Sequence, residues 1–187
     1  MTSPRRVPRP LHPGVEADDP ADFVAIVREH DPKLRRLVSR MLVDRHRVDD
    51  VLQEAYVRAH RALPRFRSDA DLGTWLYRIT YNCCVDELRS AQRRPRPVEV
   101  LPELGSRAPG PGRQVAVRLA VQAALAELPE DQRAAVLLVD GSALDYSAAA
   151  EVLGVSRGTV ASRVARARRV LRSRLRIDEE APDDRRS

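Results

Sequence analysis

Residues 146–171 read YSAAAEVLGVSRGTVASRVARARRVL, and this stretch decides the fold. Its first eight residues place Ala149, Val152 and Leu153 at helical spacing, which predicts a short helix over 146–153 with one apolar side. Gly154 permits the left-handed conformation that ends a helix, and Val155 plugs the corner. Ser156 is a strong N-cap for a second helix over 157–176. Two helices joined by a tight glycine turn make a helix-turn-helix, whose second helix enters the major groove of DNA.

The second helix is sharply divided. Val160, Val164, Ala167, Leu171 and Leu175 form one stripe, and the remaining surface carries eight arginines (157, 163, 166, 168, 169, 172, 174 and 176) and no acid. A helix shaped only for solubility would mix signs, because like charges three and four residues apart repel. So many cations without a local counter-charge predict an external polyanion. Geometry gives the first turns to base edges: Arg157, Thr159, Ser162, Arg163 and Arg166, with Ser156 beside them as cap. The later arginines meet phosphates.

Composition agrees with a nucleic-acid partner. The chain has 187 residues, with 33 Lys plus Arg against 27 Asp plus Glu, and a formal net charge of +6. Of the 33 bases only Lys33 is a lysine, and arginine forks match phosphates and guanine edges bidentately. No run of 18 apolar residues exists, so no membrane span is expected. The first twenty residues carry five prolines and no apolar core, and read as a disordered tail, not a signal peptide. Cys83 and Cys84 are neighbours inside a helical stretch and point apart, so neither a disulfide between them nor a zinc site is expected. The expectation is a reduced, cytoplasmic protein without metal or cofactor.

Working outward, the rest of the chain is helical in two blocks. In the first, Asp19-Pro20 and Asp31-Pro32 each read as an N-cap followed by an N1 proline, predicting helices over 20–30 and 32–43. A third is predicted over 48–63, stopping at Pro64, and a fourth over 72–92 with the stripe Trp75, Leu76, Ile79, Cys83 and Leu88. Residues 95–113 hold five prolines and three glycines and read as an extended linker. Helices resume over 114–126, 130–139, 146–153 and 157–176, and the last ten residues are polar and expected to fray. The predicted class is all-α: two small helical domains, 20–94 and 114–177, between tails at 1–19 and 178–187.

A helix-turn-helix alone says only that DNA is bound; the first block narrows it. The stretches VDDVLQEAYVRAHRALPRF at 48–66 and TWLYRITYNCCVDELRSAQRR at 74–94, followed by ALAELPEDQRAAVLLVDGSALDYSAAAEVLGVSRGTVASRVARARRVL at 124–171, resemble bacterial RNA polymerase sigma factors of the extracytoplasmic-function (group 4) class of the sigma-70 family. The order, linker and length fit, and the resemblance covers about residues 20–177. It implies that the first block is sigma region 2 and the second region 4. Region 2 would bind the clamp of the largest polymerase subunit through Asp49, Asp50, Gln53 and Glu54, acidic and polar groups that also suit a first helical turn. An apolar face of region 4 would meet the flap of the second-largest subunit.

The resemblance assigns promoter opening to the loop Phe66-Arg67-Ser68-Asp69-Ala70-Asp71 and the helix after it. Opening duplex costs on the order of 1–2 kcal/mol per base-pair step in stacking. A factor without ATP offsets that by capturing the exposed strand with pockets, planes and cations. Phe66, Arg67, Ser68 and Asp69 in the loop, and Arg78, Asn82 and Arg89 on one helical face, are the candidates. Trp75, Tyr77 and Tyr81 cluster nearby, Trp75 reading as core because it lies in the apolar stripe. Arg157 and Ala161 stand where members often carry an acid and a base, so the upstream element is not transferable from relatives. Gly73 replaces a residue that is commonly bulky.

The implied function is a dissociable, non-enzymatic initiation factor. It would direct core polymerase to promoters, reading the −35 element in duplex and opening the −10 element into single strand. An anti-sigma factor is a further partner that the family implies. The alternative is a stand-alone helix-turn-helix regulator with 20–92 as a sensing or dimerisation domain.

Overall fold

The computed structural model describes residues 20–42, 44–66, 71–93 and 112–175, all of them helix, turn or short connection. Among these residues are α1 (Pro20–Met41), α2 (Val48–Ala62), α3 (Leu72–Arg93), α4 (Gly112–Ala126), α5 (Glu130–Val136), α6 (Tyr146–Leu153) and α7 (Arg157–Leu175). The tails, Arg67, Ser68, Asp69 and the linker before Gly112 lie outside the described residues.

The expected break at Asp31-Pro32 is not there: α1 runs unbroken through Pro32. Proline removes one backbone donor and crowds the preceding turn, a cost of about 3 kcal/mol in a free helix. Here both halves bury the same face, with Phe23 and Ile26 before the proline and Leu34, Leu37, Val38 and Met41 after it. Asp31 does not cap. Its carboxylate accepts from Tyr56 Oη at 2.7 Å and lies 3.6 Å from Arg35, tying α1 to α2. Packing outweighs the local signal.

In the first module α2 buries Val48, Val51, Leu52, Ala55 and Ala59, and α3 buries Leu76, Thr80, Cys83 and Cys84. Their outer edges are cross-linked by Arg47 to Glu87 at 3.0 Å and Arg58 to Asp86 at 2.7 Å. Gly73 is needed where α1 and α3 approach: a Cβ there would sit 2.8 Å from His30 Cε1. Sequence reading of α3's stripe needs correction, since Trp75, Ile79 and Leu88 are only half-buried while Tyr77 and Thr80 go inside.

In the second module α4 begins at Gly112, two residues inside the expected linker. The helix expected over 130–139 ends at Val136 and continues as a π-helical turn, Leu137–Gly141, which keeps Leu137 and Leu138 buried. Leu144 N–H then donates back to the Leu138 carbonyl at 3.1 Å, across Ala143 in the left-handed region at φ 59.

The two modules touch. α3 packs on α6, and α1 packs on α4, α5 and the π turn, so buried residues of both belong to one apolar cluster. Gln122 donates to the Ser39 carbonyl and Arg133 to the Met41 carbonyl, each at 3.3 Å, at the C-terminal end of α1.

Candidate nucleic-acid interface

The helix-turn-helix forms as the sequence predicts. Asp145 caps α6, its carboxylate accepting from the backbone of Ser147 at 2.7 Å and Ala148 at 2.8 Å. Gly154 takes the left-handed conformation at φ 65, ψ 32, and Val155 N–H closes the turn on the Ala150 carbonyl at 3.1 Å. Val155 is half-buried against the core. Ser156 Oγ accepts from Thr159 N–H at 3.1 Å and lies 2.9 Å from Thr159 Oγ1. Ser162 Oγ donates to the Thr159 carbonyl at 2.9 Å. The Ser156 and Thr159 hydroxyls thus pair at the first turn and that of Ser162 turns back on the backbone, while Ser156, Arg157, Ser162 and Arg166 are exposed.

Val160, Val164 and Ala167 are fully buried, which fixes the rotation of α7 and points its opposite face outward. The expectation of eight uncompensated arginines needs correction. Arg163 Nε lies 3.0 Å from Asp131, Arg168 grips Asp140 through two contacts of 2.9 and 2.5 Å, and Arg174 lies 2.8 Å from Glu127. The counter-charges come from α4, α5 and the π turn, elements distant in sequence. Arg157, Arg166, Arg169 and Arg172 are exposed and carry no carboxylate partner among the described residues. Arg163 and Thr159 are the two base-reading candidates that are only half-open, the Arg163 side chain being 22% exposed beside Asp131.

On the first module the expected face of α3 is there. Arg78, Asn82 and Arg89 are exposed, and neither arginine has a carboxylate partner among the described residues. Asp71 caps α3, its carboxylate accepting from Thr74 N–H at 2.6 Å. Phe66 and Trp75, both half-buried, meet as a tilted pair with ring centres 5.0 Å apart and planes inclined by 55°, so the aromatic pair flanks the loop whose residues 67–70 are not described. Tyr77 and Tyr81 do not join them. Tyr77 is buried at the seam beside Ser142, and Tyr81 is half-buried in the field of Glu130, Arg163 and Asp131 of the second module, burial raising its hydroxyl pKa.

The acidic start of α2 is exposed at Asp49, Asp50, Gln53 and Glu54. Three of the four are already paired: Asp49 with Arg35, Asp50 with Arg47 at 2.7 Å and Glu54 with Arg58 at 2.7 Å. Gln53 carries none of these pairs. With Asp49, Leu52, Tyr56 and Arg35 it lines a groove of about 410 Å³ between α1 and α2. Tyr56 is held neutral in that groove, burial and its bond to Asp31 pushing its pKa well up.

Among the described residues no group of three or more potential metal ligands is found, and no helix is long and apolar enough to cross a membrane. Sequence reading missed Arg133, buried and bonded to the end of α1. An arginine in the apolar run AAVLL that follows it was the available signal.

Comparison with known proteins adds to this geometry. The family model for sigma-70 region 2 matches residues 26–94, and that for sigma-70 region 4 matches residues 118–171. The ECF RNA polymerase sigma factor SigM of Mycobacterium tuberculosis is 41% identical over 153 residues, covering 81% of this chain and 76% of the relative. The ECF RNA polymerase sigma-E factor of Escherichia coli K12 is 32% identical over 173 residues, covering 86% and 90%. Among solved structures, the sigma factor RpoE of Bartonella quintana, in complex with the anti-sigma factor NepR, superposes with a TM-score of 0.68. It is 26% identical, and the match covers 84% of this chain and 98% of that one. CnrH in complex with the cytosolic domain of CnrY gives 0.67 at 27% identity, covering 87% and 92%.

Proposed function

The chain belongs to the extracytoplasmic-function class of the sigma-70 family, factors that direct RNA polymerase to promoters, and on that premise we propose how its surfaces divide the work. The module 20–94 is region 2 and the module 114–177 is region 4, joined by 95–113. In region 4, α7 reads the −35 element in the major groove: Arg157, Thr159, Ser162, Arg163 and Arg166 face bases, with Ser156 at the helix start. In region 2, Phe66, Arg67, Ser68 and Asp69 receive the unstacked −10 base, and Arg78, Asn82 and Arg89 hold the strand that leads to it. Asp49, Asp50, Gln53 and Glu54 dock on the clamp of the largest polymerase subunit, and the apolar side of region 4 on the flap of the second-largest.

The observation that carries this reading is a pair of exposed polar faces, Arg78–Asn82–Arg89 on α3 and Arg157–Arg166 on α7, whose arginines have no carboxylate partner among the described residues. Exposed cations grouped on one face of a helix in each of two modules suit two stretches of one polyanion. The factor positions and opens DNA, and the polymerase carries out the nucleotidyl transfer. Its place of action is the cytoplasm, where polymerase and promoter are. The closed contact between α3 and α6 is a state that an anti-sigma factor could hold, as the resemblance to RpoE in its NepR complex suggests.

The test compares the purified chain with and without core polymerase on a promoter library. Discrete start sites and sequence-specific binding are expected only when core is present. A chain that footprints a palindrome unaided, and does not associate with core, would refute the reading.

A further inference from the structure

The arginine face of α7 has no carboxylate partner among the described residues. Arg166, Arg169 and Arg172 recur every three residues on the side opposite the buried Val160, Val164 and Ala167, and all three are exposed. The nearby acids are taken: Asp131 by Arg163, Asp140 by Arg168 and Glu127 by Arg174. Immediately beyond Leu175 the sequence runs Arg176-Ile177-Asp178-Glu179-Glu180-Ala181-Pro182-Asp183-Asp184. Residues 178–184 hold five carboxylates and no base, the densest run of acids in the chain, sited next to its densest run of arginines.

We propose that residues 177–184 dock along the exposed arginine face of α7 and compete there with duplex phosphate. The lengths allow it. From Leu175 back to Arg166 along the helix is about 14 Å, at ~1.5 Å per residue. From Leu175 out to Asp184 an extended chain reaches about 30 Å, at ~3.3 Å per residue. Pro182 cannot continue the helix and biases Ala181 to extended backbone, which suits a strand folding back over the helix. Carboxylates then lie level with Arg172, Arg169 and Arg166 in turn. Weak, exposed pairs are what the role needs: they hold off non-specific duplex, yet yield to a site where base contacts add to the phosphates. Dense carboxylates near these arginines also lower the count of phosphates that free factor can neutralise.

The inference rests on α7 being the duplex-binding helix, and the test separates the two. Full-length parent and the variant D178N/E179Q/E180Q/D183N/D184N are titrated against a fluorescent duplex of about 24 base pairs at about 50 mM salt. The neutralised chain is expected to bind roughly tenfold tighter, with the gap closing as salt rises to about 300 mM. In an R166Q/R169Q/R172Q background the neutralisation is expected to change nothing. Neutralising Glu16, Asp18, Asp19 and Asp22 instead raises the net charge almost as much and is expected to leave affinity unaltered. Equal binding by parent and neutralised chain overturns the docking alone, as does an equal gain from the N-terminal set. Failure of both chains to bind duplex overturns the reading of α7 and the docking with it. A nitroxide on Ala181→Cys gives a direct readout, selective because Cys83 and Cys84 are buried. Broadening of α7 amide signals is expected at low salt and not in the triple-glutamine background, and its absence at low salt refutes the contact.

Discussion

Asp131 holds Arg163, and releasing it should strengthen promoter reading. The two side chains meet at 3.0 Å, with Arg163 22% and Asp131 48% exposed. A pair so open to water is worth about 0.2–1 kcal/mol, not the several that a buried pair would command. To reach a base edge, Arg163 must give that contact up. Asp131→Asn removes the charge while keeping a side-chain oxygen for its own bond to Gln132 N–H at 2.9 Å, so the start of α5 is preserved. Holoenzyme affinity for a promoter recovered from the library should therefore rise about 1.4- to 5-fold, the same energy expressed as a ratio. Asp131→Asn also removes a negative charge near DNA whatever Arg163 does. The double-mutant cycle with Arg163→Ala isolates the coupling. Arg163→Ala alone should cost about 1–3 kcal/mol at one upstream position and leave the others alone. In its background Asp131→Asn should gain little or nothing. Measurement by fluorescence anisotropy at fixed salt decides it. An equal gain in both backgrounds refutes the release, and a uniform loss over all promoter sequences moves Arg163 from bases to phosphate.

Three further outcomes are expected. Tyr56→Phe deletes the 2.7 Å bond to Asp31 and should cost about 1–2 kcal/mol in urea unfolding. An unchanged midpoint would mean that this bond does not hold α1 to α2. Gly73→Ala places a Cβ 2.8 Å from His30 Cε1, whose ring is set edge-on to Tyr77 with centres 6.1 Å apart. Overpacking there should cost about 1–3 kcal/mol, a fall in Tm of roughly 2–10 °C by calorimetry, and an unshifted Tm would show that the ring swings away freely. Burial pushes the Cys84 thiol up to about 12 from its ordinary 9.0. Because the folded value lies above the unfolded one, its contribution is complete below pH 9 and is lost as pH rises towards 12. Thermal melts should fall across that window more steeply than for Cys84→Ala, and parallel profiles would remove Cys84 from the account.

What the sequence announced and what it withheld differ by range. The helix-turn-helix was legible because its signals are local: Gly154 needs only its own φ, and Ser156 needs only the amide of Thr159. The faces Arg78–Asn82–Arg89 and Val160–Val164–Ala167 follow from helical spacing for the same reason. Asp31-Pro32 misled because a local start signal met a tertiary demand, one apolar stripe running from Phe23 to Met41. The pairing of α7 was invisible because Glu127, Asp131 and Asp140 stand 28 to 47 residues away from their arginines, and only the fold brings them together. Tyr77 and Tyr81 looked like part of a base-capturing cluster. The rotation of α3 that exposes Arg78 and Asn82 turns both tyrosines toward the second module instead.

That second module poses a geometric constraint. α3 packs on α6, the first helix of the helix-turn-helix, so in the closed molecule the two proposed DNA faces belong to helices of one packed body. The elements assigned to them lie about 25 base pairs apart, or ~85 Å of duplex at 3.4 Å per pair. On the proposed assignment, no rigid body of this size spans that distance, so α3 and α6 must part before both elements are engaged. The stretch 94–111 contributes up to about 60 Å when extended, and the modules supply the rest. The chemistry of the seam suits a contact that opens. Arg133 reaches the Met41 carbonyl with one nitrogen while its Nε finds no partner, and Tyr77 Oη is buried beside Ser142 without a well-formed hydrogen bond. Burial lowers the pKa of Arg133, a sign of a cation kept from water at a cost. Groups half-satisfied in this way are rare in permanent cores, where each orphaned polar atom costs about 1–3 kcal/mol, and they regain full hydration when the modules separate. On the proposed assignment, these unsatisfied groups lower the cost of opening, and the polymerase and promoter surfaces that opening frees offset the rest.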